Sequence, residues 1–314
     1  MCINERDLTG NIRYSIFDPT GNITALVESY VDIGRQPDIA ADIMRMHPDV
    51  EQVGFVRFDE TGSRAPVQLH MAGGEFCGNA TMCAAALYFI RREEGKRDPE
   101  NGNGKEQSGL PDDASEEILV KTSGVDEPLR VRLSVRCTDA ACCPGKDSEG
   151  MAGTEFNVGI MMPDALGIEK KKLEFSSEEL KVSGVESIVR LPGIDHIVIT
   201  RSSGLYALGS VNSAAEEAIK KFCSMLGSDC LGMMFLNEAD GEYDLTPLVY
   251  VPGADTIFWE NSCASGTAAV GIYLAAEKKS RIDISVSEPA GILSVMSDPD
   301  TGETWLYGSA ILIQ

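Results

Sequence analysis

Two stretches of this chain are built alike and constrain its fold more than anything else in it. "CGNATMCAAALYF" (77–89) and "CASGTAAVGIYLA" (263–275) each begin with a cysteine, pass through small residues and run into an alanine-rich segment. They lie 186 residues apart, and Thr81 and Thr267 fall at the same offset within them. A strand-turn segment precedes each. A strand, a glycine turn and another strand follow each: "VKTSGVDEPLRVRL" in one half and "SVSEPAGILSVMS" in the other. Like segments in like order read as a duplicated unit, so the chain must build two similar halves. Its 314 residues suit two α/β domains.

Hydrophobic periodicity fills in the elements. Strands are expected at 23–29, 53–60 and 65–72, with a helix over 37–47 that holds Pro37 in its first turn. Met82, Ala85, Ala86, Phe89 and Ile90 recur at helical spacing, which predicts a helix over 78–94. The polar, Gly/Asp/Glu/Asn-rich segment 95–117 reads as a surface loop. Its "GNGNGK" is not a phosphate loop, because no strand precedes it and the spacing is wrong. Strands follow at "EILVKTS", "LRVRLSVRC" and "EFNVGIMM". A second set starts near 185 with "ESIVRLPGIDHIVIT", continues through a helix at 213–226 and strands at 230–238 and 245–251, and ends after the Cys263 helix with three closing strands.

Composition removes several function classes. With 27 basic and 49 acidic residues the net charge is −22, and no basic stripe relieves it, which excludes nucleic acid and anionic membrane as partners. No apolar run approaches the roughly 20 residues of a membrane span, and "MCINERDLTGNIRY" carries no signal-peptide core, so a cytoplasmic protein is expected. The nine cysteines are odd in number and lie in a long chain without a secretion signal, so a disulfide framework is not expected. The "CTDAACC" cluster (137–143) lacks a second spaced pair and a nearby histidine, so no metal site is expected there. Three histidines, His47, His70 and His196, supply metal cages and serine-type triads poorly and read as structural.

The chemistry points to the two matched cysteines. A cysteine at a helix N-terminus meets unpaired backbone N–H groups and the positive end of the dipole, which is expected to lower its pKa from about 8.5. Gly78, Ala264 and Gly266 leave the first-turn amides open, and a helix N-terminus accepts a carboxylate. Two such ends face to face would grip one carboxylate and leave a sulfur on each side of the adjoining carbon. Inversion at that carbon needs a base on one face and an acid on the other, and a thiolate with an opposing thiol supplies both. Cys83, Cys223 and Cys230 read as buried core residues.

These segments resemble the diaminopimelate epimerase-like superfamily, which includes diaminopimelate epimerase, proline racemase and the histidine racemases of metallophore pathways. "CGNA" (77–80) is similar to its first cysteine motif and "CASGT" (263–267) to its second. "PTGN" (19–22), "GIDH" (193–196), "EPAG" and "YGSA" resemble further motifs in the right order. The resemblance implies an α/β (α+β) fold of two pseudo-symmetric domains, each a curled sheet around a central helix, with the site in the cleft between them. The halves would be 1–165 and 166–289, with strands from 290–314 returning to the first. It implies no cofactor and no metal, Cys77 and Cys263 as the acid–base pair, and α-carboxylate binding by the amides of Gly78, Asn79, Ala264 and Ser265. Asn22 and Gln68 are placed near the substrate in the same way, while Glu260, three residues before Cys263, is a candidate for the substrate ammonium or else a strand-end surface charge.

Departures from the family's pattern bear on the substrate. Asn261 stands where diaminopimelate epimerase has an arginine, Ile194 replaces the asparagine of the family's GNPH segment, "MF" (Met234, Phe235) replaces an Asn-Phe pair, and Gln68 replaces another asparagine. A second amino-carboxylate would lie unpaired there, which is costly. The short "WENSCASGT" segment looks more like the histidine-racemase branch. The leading expectation is a cofactor-independent amino-acid racemase or epimerase acting on a small-molecule amino acid, histidine being the candidate, with a homodimer as the candidate assembly. Diaminopimelate epimerase, a proline- or hydroxyproline-type epimerase and a non-catalytic amino-acid-binding protein are the alternatives.

Overall fold

The computed structural model describes residues 12–59, 63–96, 115–136 and 153–314. Cys2, the 137–143 cysteine cluster and most of the loop expected over 95–117 lie outside the described residues. The first half contains Tyr14–Asp18 (β1), Thr24–Val27 (β2), Gln36–Met46 (α1), Gln52–Phe58 (β3), Val67–Met71 (β4), Gly78–Lys96 (α2), Glu116–Thr122 (β5), Leu129–Arg136 (β6) and Glu155–Met161 (β7). The second contains Gly167–Ser176 (β8), Lys181–Leu191 (β9), Ile194–Thr200 (β10), Asn212–Leu226 (α3), Leu231–Ala239 (β11), Glu242–Val251 (β12) and Thr256–Trp259 (β13). It continues with Ala264–Lys278 (α4), Ile282–Glu288 (β14), Gly291–Ser297 (β15) and Thr304–Leu312 (β16).

Strand pairing repeats the sequence duplication. From β1 to β7 neighbouring strands pair antiparallel, parallel, antiparallel, parallel, antiparallel, antiparallel. Along β9, β10, β11, β12, β14, β15 and β16 the same series recurs. Parallel neighbours need a crossover, and α1, α2, α3 and α4 supply the four of them. The halves join where β16 pairs with β7, and β16 also pairs with β1, which closes β1–β7 and β16 into a ring of eight strands. The second half stays open and ends at β8, with β13 attached to β12. This is the curled-sheet α/β architecture expected.

The matched alanine-rich segments become the two central helices. Residues 76–87 are all buried, and so are 262–271, so neither helix keeps a polar face over its first turns. A helix that is apolar all round belongs inside a core. Both share one core with the inward faces of the strands, including Phe17, Leu69, Phe156, Met234 and Val295. By contrast α1 and α3 are amphipathic and cover outer faces, α1 over Val27, Val53 and Phe55, and α3 over Ile197, Met233 and Leu248.

The inter-half contacts are symmetric too. A Cβ on Gly21, in the β1–β2 turn with φ +93°, would lie 2.1 Å from Ala290 in the β14–β15 turn. Its counterpart Gly193, in the β9–β10 turn with φ +79°, packs against Gly124 in the β5–β6 turn, where a Cβ on Gly193 would come within 3.0 Å of the Gly124 backbone. Only glycine combines that backbone with that approach. Strand β8 carries "GIEKKKLEFS", which sequence periodicity does not single out. Its lysines suit an edge strand, where charge discourages further pairing.

Candidate active site

The two helix N-termini meet between the halves. A Cβ on Gly78 would lie 2.7 Å from the Cβ of Ala264, so the first turns of α2 and α4 abut. Asn22 and Asn79 both donate their side-chain N–H to the Ser262 carbonyl, at 2.8 and 2.9 Å, which ties the α2 end and the β1–β2 turn to the residue before Cys263. Each cysteine caps its own helix. Cys77 Sγ accepts from the Ala80 N–H at 3.3 Å, and Cys263 Sγ accepts from the Gly266 N–H at 3.4 Å.

Both cysteines, with Gly78, Asn79, Ala264, Ser265 and Glu260, line one cavity of about 230 Å³. Of the remaining expected residues, Asn22 is buried just behind it, held on Ser262. Gln68 is not brought in: β4 alternates, so Leu69 and Met71 face the core and Gln68 faces solvent. A different amide enters instead. Gln52, at the start of β3, accepts from the Cys77 thiol at 2.6 Å and donates to Glu260 Oε1 at 3.1 Å. Its position at a strand start gives no sequence signal beyond a polar residue before an apolar run.

Three carboxylates face the cavity, Glu51, Glu75 and Glu260, and among the described residues its lining holds no lysine or arginine. Burial pushes Glu260 up to about 7, opposed by hydrogen bonds from the Cys263 thiol and Gln52. It also raises Glu51 and Glu75, and each of these keeps one buried oxygen without a partner among the described residues. Asn261 donates to the other Glu51 oxygen. Apolar walls come from Met44 of α1, Phe76, Ile194, Val249, Val251 and Phe258. Glu288, at the end of β14, lies behind Cys263. It accepts from the Cys263 N–H at 2.6 Å and from the Thr267 hydroxyl, and burial pushes it up to about 8.

The expected lowering of the thiol pKa values is not met. Burial raises Cys77 strongly, and the N–H groups of Ala80 and Asn79 only partly oppose it, while Glu260 and Glu75 add to the rise. Cys263 is pushed well up by burial, Glu260 and Glu288, with the Gly266 N–H opposing. Helix ends stabilise a thiolate, but desolvation by burial outweighs them. His196 is fully buried outside the cavity and neutral, its pKa depressed to about 3 by burial, and His47 and His70 bond Tyr14 and Gln36.

Comparison with known proteins identifies the family. The family described as the histidine racemase CntK N-terminal domain matches residues 11–305. The chain belongs to that family. It is an amino-acid racemase, an isomerase. A histidine racemase from Staphylococcus aureus is 24% identical over 288 residues, covering 91% of this chain and 88% of the relative. One from Fusobacterium nucleatum is 29% identical over 289 residues, covering 90% and 88%. Among solved structures, a predicted epimerase from Pseudomonas aeruginosa superposes with a TM-score of 0.57 at 13% identity, covering 97% of this chain and 98% of that one. Methylitaconate-Δ-isomerase gives 0.50 at 12% identity, covering 96% and 94%. These two share the racemase's fold. Among its described residues no group of side chains could hold a metal ion, and no helix is long and apolar enough to cross a membrane.

Proposed function

We propose that this racemase inverts the α-carbon of histidine with Cys77 and Cys263 as the two bases. The observation that carries the reading is the pair of thiols at the starts of two abutting helices, opening on one cavity. The substrate carboxylate takes the first-turn amides of Gly78, Asn79, Ala264 and Ser265, at helix ends where N–H groups have no intrahelical partner. Its ammonium group hydrogen-bonds Glu260. One sulfur then lies on each side of the α-carbon. A thiolate removes the α-proton, negative charge develops on the carboxylate oxygens against fixed amide dipoles, and the opposite thiol returns a proton to the other face. Burial keeps the thiols protonated in the empty cavity, and an arriving ammonium favours the thiolate form. No step calls for a cofactor.

The side-chain end of the cavity favours histidine. Its apolar walls suit a ring, and the unpartnered oxygens of Glu51 and Glu75 suit ring N–H donors. A second carboxylate, as in diaminopimelate, would meet those two carboxylates with no lysine or arginine among the described lining residues to offset them. The curated relatives are named histidine racemases. The free, buried thiols at 77, 83, 223, 230 and 263 suit a reducing compartment, and we place the enzyme in the cytoplasm on that ground.

The test is proton NMR of L-histidine in deuterated water with reduced enzyme, beside diaminopimelate, proline and hydroxyproline. Loss of the α-proton signal and appearance of the D form are expected for histidine, and not with Cys77→Ser or Cys263→Ser. Exchange of another amino acid in place of histidine would overturn the substrate. Exchange that survives both substitutions would overturn the two-thiol mechanism.

A further inference from the structure

Two hydrogen bonds run in series from the Cys77 thiol to a carboxylate that acts on the other thiol. Cys77 donates to Gln52 Oε1 at 2.6 Å, and Gln52 Nε2 donates to Glu260 Oε1 at 3.1 Å. Glu260 acts on the Cys263 thiol across the same cavity and raises its pKa, and the sulfur also meets the Ser265 hydroxyl at 3.7 Å. All four side chains line the same cavity. The middle member is a carboxamide, which accepts at one end and donates at the other, and whose shape hardly changes on a half-turn of its terminal group. It cannot offer the same function to both neighbours at once.

We propose that Gln52 is a positioning residue whose two amide orientations select which thiol is the thiolate. The proposal rests on the two-thiol reading above. In the orientation observed, Oε1 accepts from Cys77, which must therefore carry its proton. Transfer of the Cys263 proton to Glu260 breaks the S–H bond, forms an O–H bond and leaves Cys263 as thiolate. The neutral Glu260 then donates to that thiolate, and its carbonyl oxygen still accepts from Gln52 Nε2.

In the turned orientation, Nε2 donates to a Cys77 thiolate and Oε1 accepts from the Glu260 O–H. The carbonyl oxygen of Glu260 accepts from the Cys263 thiol. Each form holds two protons among the three acids and leaves no donor or acceptor of the chain unmatched. The carbonyl oxygen of Glu260 keeps a second lone pair for the substrate ammonium. One turnover converts the first form into the second: the Cys263 thiolate gains the substrate's α-proton, and Cys77 gives its own to the carbanion. Glu260 stays protonated throughout, its carboxyl group turning so that the O–H passes from Cys263 to Gln52, and the amide turns with the reaction. Each form is therefore matched to one enantiomer.

The decisive measurement is the initial rate of iodoacetamide alkylation at each thiol of the free enzyme, quantified by peptide mass spectrometry, for wild type and Gln52→Leu. Losing a donor to a charged partner predicts a roughly 10–100-fold slower alkylation of Cys77. Cys263, whose thiolate faces Glu260, slows by a smaller factor. Histidine racemisation falls in both directions together. Where Gln52→Leu fails to fold, Gln52→Glu serves: it keeps the shape and, when ionised, only accepts, so Cys77 alkylation is suppressed while that of Cys263 persists. Equal rates at the two thiols relative to wild type, in either variant, would overturn the proposal. Histidine α-proton exchange that survives Cys77→Ser and Cys263→Ser would instead bring down the reading beneath it.

Discussion

At the start of α2 the thiol meets an amide, and at the start of α4 it meets carboxylates. Cys77 hydrogen-bonds Gln52, and Thr81 in the same turn bonds back to the Cys77 carbonyl at 2.7 Å. The Cys263 thiol is raised by Glu260, while its backbone N–H and the Thr267 hydroxyl are both taken by Glu288. The backbones are near copies, capped by sulfur in the same way, yet the electrostatics differ. A two-base inversion has that requirement: the frame must present both sulfurs alike to one carbon, and their surroundings must let them hold opposite protonation states. The duplicated fold supplies the likeness, and a few side chains from neighbouring strands break it.

The sharpest way to break the comparison is to remove one sulfur at a time. Cys77→Ser and Cys263→Ser should each lower histidine racemisation by roughly 10²–10⁴-fold, the usual contribution of a positioned acid or base. A large loss for one and not the other, measured by polarimetry, would mean that only one face is served by a thiol. Glu260→Gln comes next. It cannot hold the Cys263 proton and binds the ammonium less well, so kcat/KM should fall by roughly 10–100-fold.

Gly78→Ala tests the likeness of the frame. Its methyl group would press on Ala264, 2.7 Å away, and force the two helix starts apart. A destabilisation of about 1–3 kcal/mol in urea unfolding is expected, with reduced activity in the fraction that folds. Glu288→Gln tests the asymmetry at α4. The Glu288 carboxyl titrates near 8 when folded against an ordinary 4.5. Folding favours its protonated form, so the stability that form contributes is complete below about 4.5 and is lost as pH rises through about 8. The glutamine variant has no such loss. Its melting temperature relative to wild type should therefore climb across that window, and a pH-independent difference would show that the carboxyl is not buried as described. Smallest of all, Gln68→Ala should change stability by no more than about 0.5 kcal/mol and leave racemisation as it was, because the side chain faces solvent on β4.

Much of this is legible in the chain. Cys77 and Cys263 stand out because a repeat marks them, and repeats survive in sequence when the same backbone must be built twice. The helices that follow them are readable from their small, apolar composition. Strand β8 escapes a reading by periodicity because an edge strand rich in lysine has the polarity of a loop. Gln68 is misplaced by resemblance alone, since the alternation of its strand turns it outward. Gln52, Glu51, Glu75 and Glu288 carry no local signal, since each is a polar residue beside an apolar run and gains its meaning from a partner far along the chain, as Gln52 does from Glu260.

The sequence by itself determined the duplication, the α/β alternation, the two cap cysteines and the acidic balance of the chain. These are local or periodic properties, written in residue type and spacing. Only the tertiary structure decided that the two helix starts abut, that an amide and a carboxylate join the thiols, and that burial raises the thiol pKa values where the helix ends alone would lower them. Desolvation and hydrogen bonding depend on what surrounds a group in space, and here those surroundings come from β3, β13 and β14, strands that the chain visits tens to hundreds of residues apart.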